Sequence, residues 1–72
     1  MEDINKIRYF NMVIVEFGNH HHLPPRWSYQ YLHTYGGLDL IDKNYDIEHT
    51  LPLNDTIEGL TQYCKRQGGS LS

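Results

Sequence analysis

Two pairs of helix breakers, Pro24-Pro25 and Gly36-Gly37, stand in a chain whose apolar residues otherwise recur at helical intervals. Proline cannot continue a helix but fits its first turn, and glycine reaches the left-handed backbone that ends one. The chain is therefore cut into short helices instead of one long one. Ile4, Ile7, Phe10, Ile14 and Phe17, spaced by three and four, predict a first helix over about residues 3–21. Asp3 can cap it, and Gly18 is a tolerable weak point. Trp27, Tyr31, Leu32 and Tyr35 predict a second helix from the prolines to about Thr34. Leu38, Ile41 and Tyr45 mark a third, over about 38–45, followed by a turn or a further helical turn into Pro52. Asn54 or Asp55 can cap a last helix, with Glu58 completing a capping box, and Gly68-Gly69 stop it. Ile57, Leu60 and Cys64 share its apolar face.

The expected fold is all-α: a compact bundle of three to four short helices in one domain, residues 1–67, with 68–72 as a disordered tail. A chain of 72 residues buries only about 60% of its unfolded surface, which leaves little room for both a core and a deep cleft. The predicted core is Ile7, Phe10, Ile14, Phe17, Trp27, Tyr31, Leu32, Leu38, Ile41, Ile57 and Leu60.

Several function classes are disfavoured. Cys64 is the single cysteine, so no intrachain disulfide can staple a secreted domain. Met1 to Lys6 lacks the basic-then-apolar pattern of a signal peptide, and the longest apolar run, Met12 to Val15, is far too short to span a membrane. A cytoplasmic protein without membrane association is expected. The net charge is −3, and residues 38–72 carry all the excess, with six acids against Lys43, Lys65 and Arg66. The second helix, Gly36-Gly37 and the third helix resemble a helix-turn-helix, but Asp39 and Asp42 would face the phosphates. No nucleic-acid partner is expected.

His20, His21 and His22 are consecutive, about 100° apart around a helix, so they do not converge on one ion. Glu16 and His20 could chelate weakly, while His33, His49 and Cys64 are scattered. No metal and no cofactor is expected, and a histidine-cluster metal-binding accessory protein is the alternative reading. Asp46 and His49, three apart, form half of a catalytic arrangement and lack a nucleophile, because Cys64 falls on an apolar helix face. Enzymatic activity is therefore not expected, and His49 reads as a ring that caps or bridges backbone groups. Tyr9, Tyr29 and Tyr63 lie off the main stripes, where tyrosines favour protein interfaces.

Tyr45-Asp46-Ile47-Glu48-His49-Thr50, with the Tyr35-Gly36 turn, resembles the bacterial domain-of-unknown-function family 3791. Its members are small proteins with an early apolar helix and a later Tyr-Asp-x-Leu-His-Thr-like motif, and Glu48 stands here where the family tends to have leucine. Such proteins are often encoded beside ADP-ribosyltransferase-like toxin proteins, so the resemblance implies a protein partner and an antitoxin-like or accessory role. The expected partner-binding residues are Asp39, Asp42, Tyr45, Asp46, Glu48, His49 and Thr50. Homo-oligomerisation stays open.

Overall fold

A computed structural model describes residues 4–71. Among them five helices follow one another: α1 Ile4–His21, α2 Pro25–Thr34, α3 Gly37–Lys43, the single turn α4 Tyr45–Glu48, and α5 Leu53–Arg66. They contain no strand, and the bundle is all-α as the periodicity predicts. Asp3, read as the cap of the first helix, lies outside the described residues.

The breakers act as their chemistry dictates. α1 ends in a paired turn: Leu23 N–H donates to Gly18 O at 2.7 Å and His22 N–H to Asn19 O at 3.4 Å. His22 takes the left-handed conformation there, at φ +60°. Pro24 then caps α2 with extended backbone, and Pro25 occupies the first helical position. Gly36, at φ +78°, turns the chain from α2 into α3. Asn44 separates α3 from α4, and its side-chain amide donates to Leu40 O at 3.0 Å.

α1 and α2 pack against each other with little space between them. Ser28 Oγ donates to Ile14 O at 2.6 Å, and a Cβ on Gly18 would lie 2.5 Å from Leu23 O and 3.1 Å from Ser28 Cβ. Gly18 is thus the residue that lets the two backbones meet, which its cost to helix propensity conceals. The core forms against this pair from Tyr9, Val13, Phe17, Leu32, Ile41, Ile57, Leu60 and Cys64. Phe10, Ile14, Tyr31 and Leu38 flank it half-buried, and burying these apolar surfaces is the main favourable term in the fold.

Two predicted core residues are exposed. Trp27 is 53% and Ile7 44% accessible. On α2 the inward positions are Ser28 and Leu32, because a small side chain is needed where α2 crosses Gly18, and Trp27 is turned one position outward. On α1 the inward stripe is Tyr9, Val13 and Phe17, not Ile4 and Ile7. Ten-residue α2 is about 15 Å long against about 27 Å for α1, so it covers only the C-terminal part of α1. Of the three tyrosines read as interface residues, Tyr9 is buried, Tyr63 half-buried and Tyr29 exposed.

The cap of α5 is Pro52, two residues ahead of Asn54 and three ahead of Asp55, the predicted caps. Pro52 O accepts from Asp55 N–H and Thr56 N–H, there is no side-chain cap, and the Asp55–Glu58 box is replaced by an acid in the first turn. Beyond α5 the chain turns back over α2. Leu71 is half-buried, and its N–H donates to the Tyr31 hydroxyl at 3.2 Å. No helix among the described residues is long and apolar enough to cross a membrane.

Candidate functional site

A four-residue helix cannot stabilise itself, since nearly all of its carbonyls lack intrahelical partners. α4 persists because its own sequence supplies them. His49 Nδ1 lies 2.6 Å from Tyr45 O, so that nitrogen carries the proton and donates. Thr50 Oγ1 donates to Ile47 O at 2.6 Å. The His49 ring also stacks on Tyr45, with centroids 4.7 Å apart and planes 16° from parallel. His49 is therefore the ring that caps backbone. Asp46, its proposed catalytic neighbour, stays exposed and forms no bond with it.

The turn is fastened to the bundle on two sides. Toward α1, Tyr45 meets Tyr9 edge to face at 5.5 Å, and Lys6 Nζ lies 5.6 Å from the Tyr45 ring centroid. Lys6 also forms an ion pair with Asp42 on α3. Toward α5, Glu48 Oε2 accepts from Thr56 Oγ1 at 3.2 Å. Below this clip, beside Thr56, lies the Tyr9 hydroxyl, buried and without a hydrogen bond of good geometry. Burial pushes the Tyr9 phenol above its ordinary pKa; the closeness of Thr56 offsets part of the rise, and the Glu48 charge adds to it.

The seven residues expected to bind a partner thus divide. Tyr45, Glu48, His49 and Thr50 use their polar atoms to build and hold α4, and Asp42 is paired with Lys6. Asp39 and Asp46 remain exposed. Two apolar side chains are exposed beside them: Ile47 on α4 is 65% and Leu51, just after it, 41% accessible. Ile47 lies between Asp46 and Glu48, and Leu51 shares a groove with Glu48, Asp55 and, at its far side on α5, Arg66. Two shallow grooves border the turn. One, of about 230 Å³, runs between α4 and α5, and the other, of about 290 Å³, runs between α1 and α4 beside Arg8 and Met12. Both are smaller than ordinary small-molecule pockets. Lys6 and Thr56, which hold the turn, carry no signal in the sequence, and Tyr9, expected at an interface, is a buried support of the turn instead. The Tyr9, Val13, Phe17 spacing was the available signal for Tyr9.

The other candidates are scattered. Cys64 is fully buried, which raises its thiol pKa, and the Gly37 amide offsets part of that rise. His21 turns inward. Its Nε2 donates to Thr61 Oγ1 at 2.8 Å, because that hydroxyl spends its own proton on Ile57 O. Among the described residues no three His, Cys, Asp or Glu side chains group to hold an ion.

No curated protein and no solved structure matches this chain. A family model does, and it covers α1 from Arg8 onward, every other helix and the motif that carries the resemblance. The chain belongs to DUF3791, a family of proteins of unknown function, whose model it matches over residues 8–67.

Proposed function

We propose that this chain is a protein-interaction module, antitoxin-like in kind, that docks its partner through the α3–α4 face. The observation that supports this reading is the division of labour in the motif. His49 and Thr50 satisfy carbonyls of α4 and Glu48 ties it to α5, which leaves a braced turn presenting Ile47 and Leu51 beside carboxylates. A small apolar anchor within a polar rim is the anatomy of a transient protein interface. Asp39, Asp46 and Asp55 have no ion pair among the described residues, so the matching surface is an apolar spot bordered by lysine or arginine. An ADP-ribosyltransferase-like toxin encoded next to this chain is the partner class that the family resemblance suggests. The test is co-expression with that neighbouring gene product, followed by size-exclusion chromatography. A single co-eluting complex that is lost on Ile47→Lys, with the helical spectrum unchanged, is the expected result. Two independent peaks with the wild-type chain contradict the reading.

A further inference from the structure

α1 is apolar on two sides. Its inner side builds the core, and its outer side carries Met12 and Val15, 46% and 44% accessible. On that outer side Arg8, Met12, Val15 and Asn19 follow at intervals of four, three and four, the spacing of a helix–helix seam. The charges on the seam are arranged about Met12, with Arg8 one turn before it and Glu16 one turn after. Asn19 donates to Glu16 Oε1 at 3.3 Å and so holds the carboxylate at the edge of this face. Arg8 has no ion pair among the described residues.

We infer that a second copy of this chain covers this face, with the two α1 helices antiparallel and Met12 at the two-fold axis. In that register Arg8 of each copy faces Glu16 of the other, and the apolar Met12 and Val15 meet between the charge pairs. A parallel pairing would set arginine on arginine and glutamate on glutamate, so charge selects the antiparallel arrangement. The open groove beside α1, walled by Tyr45 and His49, gives the second helix room to settle against Arg8 and Met12. The contact spans about 16 Å of helix, short of a standard interface, so the dimer is weak. It uses a different face from Ile47 and Leu51, so Ile47→Lys leaves it intact.

The test is sedimentation velocity from about 10 µM to about 1 mM. Wild-type chain is expected to shift from monomer to dimer across that range, and less so at high salt. Arg8→Glu and Glu16→Arg are each expected to remain monomeric with an unchanged helical spectrum, while the double variant regains the dimer. Three results overturn the inference: a wild-type monomer throughout, a dimer indifferent to both reversals, or a double variant that stays monomeric.

Discussion

Tyr9 is the residue whose placement costs the fold most directly. Its ring fills the space between α1, α4 and α5, while its hydroxyl is buried with no hydrogen-bond partner. A buried, unsatisfied hydroxyl costs on the order of 1 kcal/mol or more, so Tyr9→Phe keeps the packing and removes the penalty. Chemical denaturation is expected to show the variant about 1 kcal/mol more stable; a loss of similar size would mean that the phenol has a partner after all. His21 gives a second prediction. Burial lowers its pKa, and the neighbouring His20 and His22 lower it further. The fold therefore prefers the neutral ring. Above the ordinary histidine pKa of about 6.5 neither state is protonated and the full stability is present. As pH falls below that value the unfolded chain takes up the proton first, and stability declines until the folded pKa is passed. The melting temperature is expected to drop between about pH 7 and pH 5, and His21→Gln to flatten part of that slope.

At the scale of the elements, the junction of α1 with α2 and the turn α4 rest on opposite devices. The junction works by absence: Gly18 has no Cβ where one would meet Leu23 O and Ser28. Gly18→Ala improves helix propensity yet is expected to cost about 2 kcal/mol, because overpacking outweighs the propensity gain. An unchanged or raised denaturation midpoint would refute the close-approach account. α4 works by supply, since His49 and Thr50 provide partners for its carbonyls. His49→Ala is expected to cost about 1 kcal/mol and to raise amide exchange in residues 45–50 ahead of the rest. The helices themselves were legible in the sequence, since the breakers and the three-four spacing mark them within a residue or two. Their rotations were less so. α1 carries two overlapping apolar stripes, and hydrophobicity favoured the one through Ile7. Ser28 is the inward residue of α2 for its size, which a ranking by hydrophobicity overlooks in favour of Trp27.

For the whole molecule, the motif's letters and the apolar side chains exposed beside them differ. Tyr45, Glu48, His49 and Thr50 are contact candidates in the sequence because they belong to the motif that carries the family resemblance, within the acidic second half. Their partners, Lys6, Tyr9, Thr56 and the carbonyls of α4, come from distant parts of the chain or from backbone, neither of which local spacing reveals. The surface left over is Ile47, Leu51 and the exposed acids. The central claim is that this surface takes the partner. The most direct measurement is a titration of isotope-labelled chain with the co-purified neighbouring gene product, followed by amide chemical shifts. Shifts concentrated at residues 39–51, and abolished by Ile47→Lys, are predicted. Shifts confined to α2 and the His20–His22 end, with α4 unmoved, would contradict it.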